Sequence, residues 1–190
     1  MIITKPVNSI VACDFHMTIG HGPEMPGWQI TDDYLLNFIP KTKGDPCIMG
    51  SITAKTLISP LKGRPCIAVT TNRETREWLY GNGFIVTNSY WEALLIAQKI
   101  PEGKAIWNIG GGQTYKWFRE NVPPKEIHIT KIQNTYPGEN EIKFCGFPED
   151  QYNIDLSRSL EIKKRLPKTN NEKDRGNTDD AIVEVYVREY

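Results

Sequence analysis

Short apolar runs alternate along the chain with polar, glycine-rich and helix-capable segments. Apolar runs of this length, bounded by turn residues, are typical of buried strands. They lie at 8–13, 46–50, 65–69, 84–86, 105–109 and 126–132. A last strand is predicted at 181–188, where apolar residues alternate with charged ones, as in a strand that is buried on one face.

Segments between these strands predict helices. The first begins at Thr31, a suitable N-cap, carries Asp32 and Asp33 in its first turn, and should stop near Pro40. The others begin at two capping-box patterns, 71–74 and 89–92, and after a group of glycines, at 113–121. We expect loops at 14–28, 55–63 and, in a strongly polar stretch, 167–180.

Strands that alternate with helices predict an α/β fold. The 190 residues suit one domain with a substantial core. We therefore expect a single domain, residues 1–190, with a mixed, mainly parallel central sheet of about eight strands flanked by about four helices. The tail breaks the alternation, so the C-terminal strand should be antiparallel and form a hairpin across the polar loop.

Composition and charge exclude several function classes. Lys plus Arg number 23 and Asp plus Glu also number 23, so no overall basic field favours nucleic acid. No apolar run approaches the ~20 residues that span a bilayer, and the N terminus has no signal-peptide pattern. We expect a cytoplasmic protein that binds neither nucleic acid nor membrane.

The cysteines and histidines show no metal-binding spacing. Three of the four cysteines lie inside apolar runs, which favours buried free thiols. The histidines share no helix face, so we expect loop or surface positions for them and no metal site; they are His16, His21 and His128.

The strand at 105–109 runs into Gly110, Gly111 and Gly112, and a helix follows. Glycines permit a sharp turn and let a ligand approach the backbone closely. The helix N-terminus favours phosphate, although the spacing matches neither the dinucleotide fingerprint nor the P-loop. Other small or hydroxyl-bearing residues should follow the carboxyl ends of strands, where α/β folds bind ligands: Ala12, Gly50, Ser51, Thr53, Thr70 and Thr71.

Several motifs, in order, resemble the dihydrofolate reductase family nearly from end to end of the chain. They are Met25-Pro26-Gly27-Trp28 before the carboxylate helix, Ile48-Met49-Gly50 with Thr53, Pro60-Leu61-Lys62-Gly63-Arg64, Ile109-Gly110-Gly111-Gly112 with Tyr115, Ile129-Thr130, and Phe147-Pro148 with the final strand. Each motif is weak by itself, and their shared order and spacing make the resemblance strong.

The resemblance implies NADPH-dependent reduction of 7,8-dihydrofolate to tetrahydrofolate, with hydride transfer to C6 and protonation at N5. It assigns catalysis to Asp33, Trp28, Thr130 and Tyr115. It implies substrate contacts from Ile10, Ala12, Asp33, Tyr34, Phe38, Leu57, Leu61, Arg64, Ile109 and Thr130. It implies cofactor contacts from Ala12, Ile19, Gly20, Met25, Gly50, Ser51, Thr53, Thr70, Thr71, Asn72, Ile109, Gly110, Gly111, Gly112, Gln113, Thr114 and Tyr115. It also implies a cis peptide at 110–111 and a bidentate pair between Arg64 and the α-carboxylate of the folate glutamate. The substrate would be the only partner of a monomer.

The chain departs from the family pattern at the acid helix. Counting forward from Trp28 places the acid at Asp33, whereas counting back four from Phe38 reaches Tyr34. One residue is therefore inserted within or just before the helix. We expect Asp33 to be the acid, with Asp32 in reserve.

A second departure concerns the 2′-phosphate of NADPH. Ser51, Ile52 and Gln113 stand where the family usually has positive charges. Three cations could substitute for them: Lys55, Arg73 and Arg76. Without such a substitute, the preference for NADPH over NADH should be weak.

Two alternatives stay open. One is a reductase of another pterin-like or ribosylated pyrimidine substrate, of the riboflavin-pathway type; Arg64 argues against it, because such a substrate has no glutamate to bind. The other is a catalytically lapsed, nucleotide-binding scaffold; the glycines with Asp33, Thr130 and Arg64 argue against it, because no structural need requires all of them.

Overall fold

The computed structural model describes residues 2–168 and 174–189. The chain divides into two compact units, Met1–Ser9 with Thr42–Lys125 and Ile10–Lys41 with Glu126–Tyr190. Part of the predicted polar loop at 167–180, residues 169–173, lies outside the described residues.

The strands are β1 (Val7–Cys13), β2 (Thr18–His21), β3 (Cys47–Gly50), β4 (Cys66–Val69), β5 (Ile85–Thr87), β6 (Ile106–Asn108), β7 (Glu126–Ile132), β8 (Glu141–Lys143), β9 (Tyr152–Ile154), β10 (Leu160–Ile162) and β11 (Ala181–Arg188). The helices are α1 (Thr31–Asp33), α2 (Ile39–Thr42), α3 (Ser51–Leu57), α4 (Arg73–Gly81), α5 (Tyr90–Gln98) and α6 (Gly112–Asn121). A π-helical turn, Tyr34–Phe38, joins α1 to α2. Short 3-10 turns lie at Glu149–Gln151 and Leu156–Arg158.

In the first unit, the strand order is β1-β6-β3-β4-β5, and all of these neighbours are parallel. The carboxyl ends of β3, β4 and β6 therefore lie at the same edge of the sheet, where Gly50, Thr70 and the glycine turn follow. Apolar side chains from these strands and from α5 and α6 form the core: Val7, Ile48, Ile67, Ala93, Leu94, Ala97, Ile106 and Phe118.

In the second unit, the order is β10-β11-β7-β1, and β9 also pairs with β11. Strand β11 is antiparallel to β7 and places Val183 opposite Thr130. Strands β2 and β8 form a separate two-stranded sheet. The core of this unit consists of Ile30, Ile132, Ile162, Ala181 and Val183. Strand β1 contributes residues to both units, and the main sheet has nine strands within the described part of the chain.

The α/β class, the mixed and mainly parallel sheet and the antiparallel C-terminal strand are confirmed. Strands β7 and β11 have the predicted bounds, because their apolar runs are long and end at polar residues. The hairpin across the polar loop is also present, since β10 pairs antiparallel with β11. Within the described ranges, no helix is long and apolar enough to cross a membrane.

Other predictions were wrong in detail. The 14–28 segment is not only loop, because β2 pairs with the distant β8. Helix α3 reaches Leu57, so the first three residues of the predicted 55–63 connector are helical. Asn72, not Thr71, caps α4, and its side chain accepts the Thr75 N–H at 2.8 Å. Both residues are good caps, so their sequence preference could not separate them.

The N-terminus of the acid helix also differs from the prediction. Ile30 stands at the N-cap, and Thr31 is the first helical residue. The Thr31 N–H donates to the Gly176 carbonyl at 3.1 Å, and the Asp32 N–H donates to Asn177 Oδ1 at 3.1 Å. A distant segment therefore satisfies the N–H groups that a local cap would otherwise satisfy.

The helix ends near Pro40, as expected, because α2 stops two residues beyond it at Thr42. Pro40 follows the π-helical turn inside a helical run that is continuous from Thr31, and a proline in that position lacks an N–H for the helix, which then ends within two residues. Another error concerns His128, which was expected in a loop or at the surface. It is 1% exposed on β7, with Nε2 3.1 Å from Glu126 Oε2, and its burial lowers its pKa. The cysteine prediction is confirmed, because all four thiols are free and three are buried.

Candidate active site

The glycine turn after β6 is held by backbone hydrogen bonds. The Gly110–Gly111 peptide is cis, as the family resemblance implied, and Gly110 has φ +91°. The Gly110 carbonyl accepts the Gly50 N–H at 2.8 Å, and the Gly110 N–H donates to Asn108 Oδ1 at 3.1 Å. Asn108 in turn donates from Nδ2 to Ser9 Oγ at 3.1 Å. These hydrogen bonds hold the turn against the ends of β3 and β6 and fix its backbone conformation.

Small residues are required around this turn. A Cβ atom on Gly110 would lie 2.5 Å from Cε2 of Tyr115, and one on Gly111 would lie 3.3 Å from Thr53 Oγ1. A Cβ atom on Gly50 would lie 3.1 Å from Thr114 Oγ1. The turn is therefore a surface of backbone and hydroxyl groups.

Helix α6 starts directly at this turn, with Gly111 at its N-cap. The first N–H groups of a helix have no partner inside it, and the dipole makes that end positive. Thr114 is fixed nearby, because its hydroxyl is 3.0 Å from the Tyr90 hydroxyl. Backbone N–H groups, hydroxyls and a positive helix end are suited to a phosphate group.

Three cations follow in the same unit. Lys55 donates from Nζ to Thr75 Oγ1 at 3.1 Å, which connects α3 with α4. Arg73 is exposed and paired with Glu77 at 3.0 Å. Among the described residues, Nη2 of Arg76 is buried and has no hydrogen-bond partner. Lys55 and Arg76 are thus better placed than Arg73 to receive an anion.

Arg64 is not an ordinary surface charge. It is 8% exposed, its Nε donates to Thr42 Oγ1 at 2.7 Å, and its Nη1 donates to the Lys62 carbonyl at 2.9 Å. These bonds fix the orientation of the planar guanidinium. A guanidinium held in this way can bind a carboxylate through two parallel hydrogen bonds.

Asp33, in the second unit, is half-buried at the end of α1. Its Oδ1 accepts the Thr130 hydroxyl at 2.6 Å and the Asn37 amide at 3.0 Å. Burial raises the pKa of this carboxyl, and the two hydrogen bonds oppose that rise. An acid with a raised pKa and a fixed orientation is a candidate for proton chemistry.

Asp32 lies in a different environment. Arg165 contacts both of its oxygens, at 2.5 and 3.0 Å, and Asn177 donates to Oδ2 at 2.8 Å. These partners, Arg165 first, lower the pKa of Asp32 to about 2. A carboxylate that is ionised and bound in this way has a structural role, which leaves Asp33 as the candidate acid.

The inserted residue lies within the helix. The Ile39 N–H bonds to the Tyr34 carbonyl, five residues earlier, and this i to i+5 bond defines the π-helical turn. The Tyr34 and Phe38 rings stack with centroids 5.8 Å apart. A π-helical turn accommodates one extra residue without breaking a helix. The count forward from Trp28 therefore reaches Asp33, whereas the count back from Phe38 reaches Tyr34.

The remaining predicted residues are divided between the units. Trp28 is half-buried, packs against the core of the second unit and meets the Tyr136 ring edge-on at 5.4 Å. The second unit also contains Ile10, Ala12, Ile19, Gly20 and the exposed Met25. The first unit contains Ser51, Leu57, Leu61, Thr70, Thr71, Asn72, Ile109, Gly112 and Gln113. The roles predicted for all of these residues stay predictions.

Among the described residues, sequence reasoning missed four whose side chains hydrogen-bond with Asp33, Arg64, Thr114 or Gly110. They are Asn37, Thr42, Tyr90 and Asn108. Only Asn37 carried a signal, because it lies four residues beyond Asp33 and an amide pairs readily with a carboxylate at that helical spacing. Asn108 is a local neighbour, two residues before Gly110, whereas Thr42 and Tyr90 are brought in by tertiary packing.

Comparisons with known proteins agree with this geometry. A family model described as dihydrofolate reductase matches residues 6–172. The chain is 28% identical over 145 residues to dihydrofolate reductase type 8 of Escherichia coli, covering 76% of this chain and 84% of that protein. It is also 28% identical over 156 residues to a putative dihydrofolate reductase of Caenorhabditis elegans, covering 75% and 80%. A solved dihydrofolate reductase from Enterococcus faecalis, complexed with NADP(H) and RAB-propyl, has the same fold, with a TM-score of 0.70, 24% identity and 97% coverage of each chain.

Replacing Gly110 should disturb the turn more than replacing Gly111. Gly110→Ala places a methyl group against the Tyr115 ring at a backbone conformation with φ +91°, and should lower the free energy of unfolding by about 1–3 kcal/mol. Gly111→Ala meets only Thr53 Oγ1 at 3.3 Å and should have a smaller effect. Denaturant unfolding of both variants measures the difference, and equal losses would contradict it.

The Asp32–Arg165 pair should stabilise the fold in a pH-dependent way. A carboxylate whose pKa falls from 3.8 to about 2 on folding contributes stability above the unfolded pKa, and the contribution is lost as pH falls through the folded pKa. Arg165→Leu should therefore lower the melting temperature at pH 7, and the difference from wild type should shrink between about pH 4 and pH 2. Arg73→Leu removes an exposed pair and is the control. A difference that does not change with pH would contradict this role.

Proposed function

We propose that this chain, which belongs to the dihydrofolate reductase family, reduces 7,8-dihydrofolate to tetrahydrofolate with NADPH. The family match supports dihydrofolate reductase activity in general. The finer statement, hydride transfer to C6 and protonation at N5, rests mainly on Asp33, a half-buried carboxyl with a raised pKa and one oxygen fixed by two donors.

Asp33 fits the needs of a pterin substrate. The amino-pyrimidine edge of a pterin offers N–H donors, and a carboxylate is the natural acceptor for them. Protonation of the substrate at N5 needs an acid that is not fully ionised at neutral pH, and burial shifts Asp33 in that direction. Thr130 would hold the carboxyl in place during both steps.

The residues of the first unit fit the cofactor. The glycine turn, Thr53 and the N-terminus of α6 would hold the pyrophosphate, and Thr70 and Thr71 the adenosine end. When bound, NADPH supplies the hydride. Lys55 and Arg76 are the candidates for contact with the 2′-phosphate, because the Arg73 charge is already paired.

Arg64 would bind the α-carboxylate of the substrate's glutamate. Its fixed guanidinium favours a folate over the ribosylated pyrimidine of the alternative reductase type. The pairing of Asp33 with Thr130 and the close packing around the glycines likewise favour an active enzyme over a lapsed scaffold.

We also propose that residues 1–190 act as one catalytic domain, as a cytoplasmic monomer. The family match supports the single domain, because it extends through residues of both units.

Exchanging the two neighbouring acids tests the assignment of the acid. Asp33→Asn should fold normally and lower dihydrofolate-dependent turnover by roughly 10²–10⁴-fold, the usual contribution of a general acid. Asp32→Asn is the matched control, which should lose thermal stability and keep turnover, because Asp32 binds Arg165. Steady-state measurement of kcat for dihydrofolate in both variants distinguishes the two acids. Normal turnover in Asp33→Asn, or loss in Asp32→Asn alone, would move the role to Asp32.

Substrate recognition by Arg64 can be isolated with a truncated substrate. Arg64→Leu should raise the KM for dihydrofolate by roughly 10- to 100-fold, the effect of losing charged hydrogen bonds. A reduced pterin without the glutamate should be turned over equally by wild type and variant. If the KM for dihydrofolate does not change, a substrate without a glutamate is favoured instead.

A further inference from the structure

We propose that Asn37 is a positioning residue for Asp33, brought to the acid by the extra residue of the π-helical turn. The inference deepens the proposed function and rests on it, because Asp33 is the group that would bind and protonate the substrate. Asn37 is 3% exposed, and its Nδ2 lies 3.0 Å from Asp33 Oδ1.

Asn37 and Thr130 donate to the same oxygen of Asp33. A carboxylate oxygen has two lone pairs in its plane, so the two donors, at 3.0 and 2.6 Å, occupy Oδ1 fully. They also prevent rotation about the Cβ–Cγ bond. Among the described residues, Oδ2 of Asp33 accepts no hydrogen bond. The pair of donors therefore presents one oxygen, in one orientation, to a substrate.

The π-helical turn explains why an amide occupies this position. Residues four apart lie on the same helix face, and without the insertion Phe38 would be four residues beyond the acid. With the insertion, Asn37 takes that place, and Phe38 stacks on Tyr34 instead. The insertion thus adds a donor to the acid and keeps an aromatic pair beside it.

Among the described residues, the groups whose hydrogen bonds shift the Asp33 pKa are neutral. The adjacent Asp32 carboxylate is bound by Arg165 and Asn177. Among the described residues, burial and the Thr130 and Asn37 hydrogen bonds are the causes that shift the Asp33 pKa. Removing the Asn37 donor should therefore have a measurable effect on that pKa, because the two remaining causes, burial and the Thr130 hydrogen bond, include no charge that would compensate.

The experiment is a titration of the Asp33 carboxyl carbon by NMR in the ligand-free protein, together with the pH profile of kcat/KM for dihydrofolate. Asn37→Leu removes the donor at similar volume, and Asn37→Ala removes it with less steric demand if the leucine variant folds poorly. Both should raise the Asp33 pKa by about one unit, the size expected for one hydrogen bond to a charged group. The pH profile should move in the same direction by the same amount. Asn37→Gln retains the amide and should restore at least part of the shift.

Asn121→Leu is the matched control, because Asn121 Nδ2 also donates to a group four residues earlier, the Trp117 carbonyl at 2.9 Å, at the far end of α6. It should leave both readouts unchanged. An unchanged Asp33 pKa in Asn37→Leu and Asn37→Ala would overturn the inference. If the NMR pKa moves and the pH profile does not, Asp33 is not the group that limits turnover, and the positioning role in catalysis is overturned. If wild type does not turn over dihydrofolate, the proposed function fails, and the NMR titration still decides whether Asn37 controls the acid.

Discussion

The proposed chemistry depends on the half-buried carboxyl of Asp33, whose hydrogen-bond donors among the described residues are neutral. Thr130 reaches Asp33 because β7 and β11 pair antiparallel over their length, which fixes the position of Thr130 in the sheet. The helix that carries Asp33 is anchored at its N-terminus by the segment around Asn177 and by Arg165. Two adjacent aspartates therefore have opposite pKa shifts, one suited to proton chemistry and one to an ion pair.

The first unit has a different constraint. The residues around its glycine turn must be small, so that a ligand can approach the backbone closely. Gly50, Gly110 and Gly111 lie where a methyl group would meet a hydroxyl or a ring, so the turn exposes amide groups next to the start of α6. The parallel strand order places these residues at one sheet edge, the usual ligand-binding edge of α/β folds. The proposed reaction assigns phosphate binding to this turn and proton transfer to Asp33.

Much of the fold followed from apolar runs, because a buried strand needs a run of apolar residues wherever it lies in the sheet. The errors arose where a distant segment changed a local outcome. Thr31 is not a cap because residues 175–177 bond to the helix start, and β2 was missed because its partner lies at 141–143. The choice between Asp32 and Asp33 needed Arg165, 133 residues away. The two counts for the acid disagreed because both assumed an uninterrupted α-helix, whereas the π-helical turn holds one extra residue between Asp33 and Phe38.

The most direct measurement is the oxidation of NADPH by the wild-type protein with and without 7,8-dihydrofolate, repeated with NADH. We expect oxidation that depends on dihydrofolate and that is faster with NADPH, because Lys55 and Arg76 offer charge for the 2′-phosphate. Equal rates with the two cofactors would show that neither cation replaces the missing ones. Saturable NADPH binding without dihydrofolate-dependent oxidation would contradict the proposed reaction and point to another substrate on the same fold.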